Sequence, residues 1–347
     1  MIPDISCIMA NYNTDPVMFR AALDSILNQT FSNFELILID DKSTNENSKK
    51  VIDEYCKKDS RIVAIYNNEN KGLAGSLNEG LKIARGKFIA RFDTDDICVK
   101  NRFERQLTYM EDRQIDICST FAHLFGEYEG VVSTNFISCG EVAAQLLFSC
   151  YIYHTPVMMR RSFLERHGLS YDVAFDGAED FDLFSRCREE KGKICIIPEV
   201  MFHYRLHSKS VCHTQNTKQA RLSSEICRRQ LEHMGVQYNI EEWKCHRILC
   251  GLEKYTMEKY TEVNQWCKKL VAQNKRQNWF EKDCFSDIVY NRFFIAIIKS
   301  DVKFIKKVKA ILFNKKLCSW PNLYSFIYKK AFLLNYKLRG RRSRCKT

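Results

Sequence analysis

The first hundred residues alternate between short apolar runs and segments that suit helices. The apolar runs predict buried strands at 5–9, 34–39, 62–66 and 88–92. The segments between them predict helices at 16–27, 45–58 and 76–84. Strands that alternate with helices in this way are typical of an α/β fold, with a mostly parallel sheet flanked by helices on both faces.

A polar cluster follows three of these predicted strands. The clusters are 11–13, 40–41 and 93–96. In open parallel sheets, ligands bind beyond the carboxyl ends of the strands. We therefore expect three clusters that are distant in the sequence to converge on one crevice.

The third cluster carries three carboxylates within four residues, Asp93, Asp95 and Asp96. Such a loop is costly unless a cation or protons offset the repulsion. Magnesium and manganese are usually held by one or two carboxylates together with substrate phosphates. The loop therefore predicts a divalent metal cofactor, Mn or Mg, that grips a diphosphate. Taken alone, the same residues also suit a solvated acidic turn.

The carboxyl-terminal part has a different character. Helical patterns dominate from about residue 220, so we expect a catalytic domain at 1–215 and a helical, basic region at 216–347. The net charge of +12 is concentrated at 301–347, where 14 Lys or Arg face one acidic residue. The remaining 300 residues hold 40 basic and 41 acidic side chains, so the rest of the chain is nearly neutral.

The basic tail predicts an amphipathic helix with an apolar stripe of Val302, Ile305, Val308 and Leu312. Cationic side chains mixed with aromatic rings suit an anionic membrane surface. A packed helical subdomain with a solvated cationic face is the alternative. We expect no nucleic-acid partner, because no recognition motif accompanies the charge.

The sixteen cysteines are scattered, and none lies at zinc-finger spacing. The first residues show neither a basic segment nor a long apolar stretch, so we expect reduced thiols and a cytoplasmic protein. The longest apolar runs fall short of the roughly 20 residues that a membrane-spanning helix needs. Attachment to the inner face of the cytoplasmic membrane would then be peripheral, through the basic tail.

Several segments together resemble the family 2 glycosyltransferases. Residues 5–13, 25–30 and 34–44 resemble the amino-terminal segments of that family. Residues 70–78 resemble its glycine-containing turn, and residues 86–96 resemble its aspartate-bearing strand. The pair Glu179-Asp180 resembles the acidic pair of the family's acceptor half, and 203–205 resembles the segment that closes the site. The likeness covers roughly residues 5–215, and it depends on the number and order of the motifs.

The resemblance implies a GT-A fold and an inverting transfer of a sugar from a nucleotide diphosphate, with a UDP-sugar as the donor. It implies a saccharide or lipid-linked saccharide as the acceptor, in bacterial cell-surface polysaccharide or lipopolysaccharide synthesis. Two other classes remain open. A nucleotidyltransferase also uses carboxylates at strand ends and a metal, and a non-catalytic nucleotide-binding protein would share the binding residues.

The resemblance also assigns roles to individual residues. Nucleotide-sugar binding falls to Tyr12, Asn13, Asp41, Lys71, Asn78, Asp93 and Asp95. Metal binding falls to Asp95, Asp96 and His203. Asp180 would be the general base, with Glu179 and His154 on the acceptor side.

Four of these residues also have plainer interpretations. Glu179 and Asp180 suit the start of a helix, where the dipole favours acidic residues. Lys71 suits a solvated loop, and His203 suits a hydrogen-bonded histidine of the core. Ala10 stands where many family members have a small hydroxyl residue or proline, so a side-chain contact to the base is missing there.

Overall fold

The computed structural model describes residues 2–206, 216–312, 314, 316 and 317. The chain divides into two compact units, Met1–Gln230 and Leu231–Thr347. We expected the catalytic domain to end at residue 215. The helix Asn216–His233 begins there but continues past the division between the units. The expected boundary therefore stays a prediction.

The first unit contains nine strands and most of the helices described here. The strands are β1 (Ile5–Asn11), β2 (Phe34–Asp40), β3 (Ile62–Tyr66), β4 (Phe88–Arg91), β5 (Ile97–Cys98), β6 (Ile117–Gly126), β7 (Gly130–Val132), β8 (Met158–Arg160) and β9 (Ile194–Leu206). The helices are α1 (Pro16–Leu27), α2 (Glu46–Lys58), α3 (Gly72–Ile83), α4 (Arg102–Asp112), α5 (Cys139–Gln145), α6 (Arg161–Arg166), α7 (Glu179–Glu189) and α8 (Asn216–His233).

All nine strands form one sheet in the order β3-β2-β1-β4-β8-β6-β9-β5, with β7 paired to β6. The strands β3, β2, β1 and β4 are mutually parallel, as the sequence predicted. Strand β8 runs antiparallel to β4 and β6, whereas β9 is parallel to β6. The α/β fold is confirmed, and the antiparallel pairs involve strands that the sequence pattern did not resolve.

The parallel register sets the geometry of the site. Asn11 lies opposite Asp40 at the carboxyl ends of β1 and β2, and Ile8 of β1 lies opposite Arg91 of β4. Every residue of β2 is buried. Helix α1 covers this part of the sheet with Phe19, which is fully buried, and burial of such a side chain contributes about 1.5–3 kcal/mol.

Helix α3 begins at Gly72, four residues before the start that the sequence predicted. Two carboxylates accept hydrogen bonds from backbone N–H groups at this end of the helix. Asp41 Oδ1 accepts from Lys71 N at 2.8 Å, and Asp176 Oδ1 accepts from Ala74 N at 3.3 Å. Gly72 has a φ of +72°, a conformation that other residues rarely adopt. These carboxylates come from distant parts of the chain, so local periodicity did not reveal the earlier start.

The second unit is helical in the part that the structure describes. Its helices are α9 (Ile240–Cys250), α10 (Tyr260–Gln277), α11 (Lys282–Lys299) and α12 (Phe304–Leu312). Asn239 caps α9 in a capping box with Glu242. Trp266 of α10 is almost completely buried. Within the described ranges, no helix has both the length and the apolar character that crossing a membrane requires.

Helix α12 does not bury the stripe that the sequence predicted. Ile305 and Leu312 are 70% and 57% exposed, whereas Ala310 and Ile311 are buried. Lys307 Nζ donates to the carbonyl of Ile298 at 2.7 Å, so a cation lies beside the packed face. Residues 318–347, the larger part of the basic segment 301–347, lie outside the described residues, and the binding of this segment to an anionic membrane stays a prediction.

Candidate active site

The carboxyl ends of β1 and β2 are joined by a buried network of side chains. Asn11 Nδ2 donates to Asp40 Oδ1 at 2.9 Å and to Ser43 Oγ at 3.1 Å. Its Oδ1 accepts from Ser48 Oγ at 3.0 Å. Both functional ends of the amide are therefore used within the fold. Asn11 and Asp40 hold the two loops in position.

Asp41 follows in the same loop and is also buried. Its Oδ1 accepts hydrogen bonds from Asn67 Nδ2 at 2.9 Å and from Lys71 N at 2.8 Å. No described residue donates to its Oδ2. One oxygen therefore fixes the start of α3, and the other is available to a ligand.

Tyr12 and Asn13 extend beyond the end of β1. Tyr12 is 54% exposed, which leaves an aromatic ring at the rim of the site. Asn13 has a φ of +57°, and its Oδ1 accepts from the backbone N of Thr44 and of Asn45, each at 2.8 Å. The Asn13 side chain thus supports the entry into α2 and leaves only its Nδ2 for a nucleotide.

Two expected nucleotide contacts, Lys71 and Asn78, are engaged elsewhere in the structure. Lys71 Nζ pairs with Glu79 Oε1 at 2.9 Å, and this hydrogen bond raises the pKa of Lys71. Asn78 donates from Nδ2 to the Tyr171 carbonyl at 2.8 Å and accepts from Tyr171 N at 3.0 Å. Asn78 therefore joins α3 to the acceptor half, and each of its two amide atoms already makes one hydrogen bond within the fold.

Arg91 anchors the acidic loop from the end of β4. Its guanidinium is almost fully buried and binds Asp93 through both terminal nitrogens. Arg91 Nη1 also donates to Thr155 Oγ1 at 3.0 Å, and that hydroxyl donates to Asp93 Oδ2. Thr94 Oγ1 lies 2.6 Å from Thr14 Oγ1, which ties the same loop to the end of β1. The convergence of the first and third polar clusters is confirmed.

Asp93, Asp95 and Asp96 form a group whose candidate ligand oxygens lie within 4.8 Å of one another. Asp96 is fully buried, and its Oδ1 accepts from Arg205 N at 2.8 Å. Its Oδ2 is buried and has no hydrogen-bond partner among the residues that the structure describes. Burial, together with the charges of Asp93 and Asp95, raises the pKa of Asp96 well above its ordinary value.

The acidic group fits a divalent cation. An unpaired buried carboxylate oxygen is costly, and hard cations prefer oxygen ligands at such positions. Arg205 also donates from Nε to the Asp95 carbonyl at 2.8 Å, so β9 holds the loop from the other side. The residues present therefore suit Mg²⁺ or Mn²⁺, with Asp95 and Asp96 as the candidate ligands.

His203 lies outside this acidic group in the part of the chain that the structure describes. Its Nδ1 lies 3.2 Å from Nδ1 of His123 on the neighbouring strand β6. Burial and the His123 charge lower the pKa of His203, which favours the neutral ring. The expected role of His203 as a metal ligand receives no support from this arrangement.

Glu179 and Asp180 open helix α7. Glu179 is buried, and its Oε2 accepts from Gly177 N at 2.7 Å. Its Oε1 lies 3.6 Å from His154 Nδ1, while His154 Nε2 lies 2.9 Å from the Tyr171 hydroxyl. Burial opposes ionisation of Glu179, but the nearby His154 ring and the backbone N–H of Gly177 outweigh it and lower the pKa of Glu179 to about 2.

Asp180 has the opposite shift. Burial and the negative charge of Glu179 raise the pKa of Asp180, although the charges of His154 and Arg91 act against the rise. Its Oδ1 accepts from Phe181 N at 2.7 Å. Two adjacent carboxylates thus differ in basicity, and the second is the stronger base. Thr155 donates to Asp93, and the residue before it, His154, lies 3.6 Å from Glu179, so the two acidic clusters lie close together.

Sequence reasoning missed three side chains that position this site. They are Arg91, Thr155 and Tyr171. Arg91 carried a usable signal, because a charged residue in the otherwise apolar run before Asp93 requires a buried partner. Thr155 and Tyr171 left no comparable signal, since each acts on residues far away in the sequence.

Comparisons with known proteins agree with this geometry. A family model described as Glycosyl transferase family 2 matches residues 6–168. The chain is 30% identical, over 247 residues, to the Escherichia coli UDP-Glc:alpha-D-GlcNAc-diphosphoundecaprenol beta-1,3-glucosyltransferase WfaP. That match covers 71% of this chain and 90% of the relative.

Two solved structures share the fold. Staphylococcus aureus TarS 1-349 in complex with UDP-GlcNAc superposes with a TM-score of 0.55 at 14% identity, over 82% of this chain and 90% of the other. The mannosyltransferase PcManGT from Pyrobaculum calidifontis, in complex with GDP-Man and Mn2+, gives 0.52 at 15% identity, over 96% and 87%. At such identities the likeness establishes the GT-A fold alone.

Proposed function

The chain belongs to glycosyl transferase family 2, and from this premise we propose that it is an inverting, metal-dependent transferase of sugar from a UDP-sugar to an acceptor hydroxyl. One observation carries the proposal. The acidic group of Asp93, Asp95 and Asp96 lies at the carboxyl edge of the parallel strands, and residues 154 and 155 connect it to the acidic pair 179–180, because Thr155 donates to Asp93 and His154 lies 3.6 Å from Glu179. A diphosphate and an acceptor hydroxyl therefore have complementary groups within one site.

The donor end of the proposal uses the loops after β1, β2 and β4. Tyr12 would stack on the base, and Asp41 would accept a hydrogen bond from it through Oδ2. Asp95 and Asp96 would hold a divalent cation with the donor diphosphate, and Asp93 would orient their loop through its pairing with Arg91. When bound, such a cation supplies Lewis-acid stabilisation of the charge that develops on the departing nucleotide.

Asp180 would act as the general base. Its raised pKa makes it a better proton acceptor than an ordinary aspartate. In the proposed step, a carboxylate oxygen of Asp180 removes the proton from the acceptor hydroxyl as that oxygen attacks the anomeric carbon. The carbon–oxygen bond to the diphosphate breaks on the opposite face, so the configuration inverts. Glu179 would keep a negative charge beside the base, with His154 positioned by Glu179 and Tyr171.

The names of the relatives support a lipid-linked saccharide acceptor in cell-surface polysaccharide or lipopolysaccharide synthesis. WfaP is named for transfer from UDP-Glc onto a diphosphoundecaprenol-linked sugar. TarS binds UDP-GlcNAc, and the Pyrobaculum enzyme binds GDP-Man with Mn2+. We propose a uridine donor because the relative with the higher sequence identity uses one.

Incubation of the full chain with Mn²⁺ and a panel of UDP- and GDP-sugars tests the proposal. We expect UDP release that depends on the metal, and a product whose anomeric configuration, read by NMR, is opposite to that of the donor. Pyrophosphate formed from a sugar phosphate and UTP would indicate a nucleotidyltransferase instead. Nucleotide binding without release from any donor would indicate a non-catalytic protein.

A further inference from the structure

A groove of about 230 Å³ opens on the surface of the first unit between β6, the segment after β7 and the segment 150–153. Ten of the described residues line it, and none of these ten carries a charge. Its rings come from Phe121, Tyr151 and Tyr153, and side-chain hydroxyls come from Thr120, Ser133 and Thr134. No residue of the donor site described above lines this groove.

One short segment connects the groove to the reacting groups. Cys150 to Tyr153 line the groove, the next residue is His154, which lies 3.6 Å from Glu179, and Thr155 donates to Asp93. Consecutive Cα atoms are about 3.8 Å apart, so the groove begins within a few residues of both carboxylate clusters. Burial and then the negative charge of Asp180 raise the pKa of the Cys150 thiol.

The chemistry of the lining indicates what the groove accepts. A phosphate or carboxylate would find no cation among the ten described lining residues. Aromatic faces suit the C–H face of a pyranose, and hydroxyl groups suit its ring and hydroxyl oxygens. The volume falls below the roughly 300–1,000 Å³ of drug-sized sites, so a single ring fits better than an oligosaccharide.

We propose that this groove is the subsite for the acceptor's terminal sugar and that it selects a neutral pyranose, with Tyr151 as the stacking platform. Tyr151 is 44% exposed, so part of the residue faces solvent. Tyr153 packs against Phe202 and Tyr204 at ring separations of 5.6 and 5.9 Å, which holds the segment rigid beside the platform. This assignment rests on the proposed transfer, because Asp180 must reach a hydroxyl of the sugar held there.

The test uses the full chain with its active UDP-sugar and two sets of methyl glycosides, neutral hexosides and the matching glucuronide. Tyr151→Ala should raise the KM for the neutral acceptor about tenfold or more, because a lost aromatic contact is worth about 1.5 kcal/mol. Its kcat at saturating acceptor and its donor hydrolysis should stay unchanged. Tyr151→Phe should retain the wild-type KM, and Ser133→Trp, which fills the groove from an exposed position, should raise it.

Tyr128→Ala is the matched control, since Tyr128 is 63% exposed on the β6–β7 connection and does not line the groove. The assignment would be overturned if Tyr151→Ala left the KM unchanged or if Tyr128→Ala raised it equally. It would also be overturned if the enzyme used the glucuronide as well as the neutral hexosides. Groove variants that impair only a polyprenyl-linked acceptor would overturn it too, because the groove would then bind the lipid.

Failure of the proposed function gives a different result, namely no nucleotide release from any donor. In that case, saturation-transfer NMR of the methyl glycosides with the wild type and with Tyr151→Ala still tests whether the groove binds a neutral sugar. Binding that is selective for neutral glycosides and lost in the variant supports the subsite, and absence of binding refutes it.

Discussion

The guanidinium of Arg91 binds the carboxylate of Asp93 through both terminal nitrogens, two residues further along the chain. Arg91 is the last residue of β4 and is only 4% exposed, so it fixes the start of the acidic loop to the sheet. The same positive charge acts against the rise in the pKa of Asp180. One buried cation thus positions the proposed donor loop and influences the proposed base.

A double-mutant cycle measures this pairing. Arg91→Met leaves Asp93 unpaired beside two other carboxylates, and Asp93→Asn leaves a buried guanidinium without its counter-ion. Loss of one partner of a buried pair costs about 3–5 kcal/mol, and the 29% exposure of the Asp93 side chain reduces the cost of leaving it unpaired. Urea unfolding should give a double-variant loss clearly smaller than the sum of the single losses. Additive losses would show that the pair is not coupled.

Asp180→Asn should lower the rate of sugar transfer by about 10²–10⁴, because the amide cannot accept the acceptor proton. UDP binding, measured by calorimetry, should stay at the wild-type Kd. Asp112→Asn makes the same change on the exposed end of α4 and should have no effect. A wild-type rate in Asp180→Asn would remove this residue from the mechanism.

Glu179→Gln should move the acid limb of the rate profile to lower pH. The negative charge of Glu179 raises the pKa of Asp180, so its removal lowers that pKa. Asp180 then loses its proton at a lower pH, and as a weaker base it should also give a lower plateau rate. The profile of kcat/KM against pH provides the measurement, and a limb that stays in place or moves upward contradicts the interaction.

The Glu179–His154 contact should make the free energy of unfolding depend on pH in the acid range. The pKa of Glu179 is about 2 in the folded protein, below the ordinary glutamate value of 4.5. A depressed pKa gives stability that is present above the unfolded value and is lost as pH falls from about 4.5 towards 2. Unfolding free energies should therefore decline less steeply over that window in Glu179→Gln than in the wild type. Equal slopes would argue against the shift.

Asp96→Asn should stabilise the metal-free protein and abolish its response to metal. The amide can still accept the hydrogen bond from Arg205 N, while the repulsion with Asp93 and Asp95 is removed. Wild-type protein should gain about 2.7 kcal/mol at a metal concentration about 100 times Kd. Thermal unfolding with and without Mn²⁺ makes the comparison. A variant that still gains stability from Mn²⁺ would place the cation elsewhere.

Much of the parallel half of the fold could be predicted from the sequence. Apolar runs such as 34–39 bury every residue, and a parallel sheet places the carboxyl ends of neighbouring strands at one edge. The convergence of Asn11, Asp40 and Asp93 follows from that rule. The antiparallel strand β8 could not be predicted in the same way, because its three residues carry too little pattern.

Individual roles within the site depended on contacts across the chain. Asn78 looked like a nucleotide contact in its motif, but its amide binds the backbone of Tyr171, 93 residues away. His203 looked like a metal ligand, but it lies beside His123 on the neighbouring strand. In both cases the motif suggested a role from the residue type, but it did not indicate which residue the side chain contacts in the fold.

The sequence alone therefore determined the α/β architecture, the edge at which the carboxylates meet and the identity of the acidic loop, because these follow from periodicity and from the polarity of strand ends. Only the tertiary structure decided which carboxylate oxygen stays unpaired, which of Glu179 and Asp180 is the stronger base, and that Arg91 serves both clusters. Burial and the distances between charges set those properties, and side chains far apart in the sequence create both.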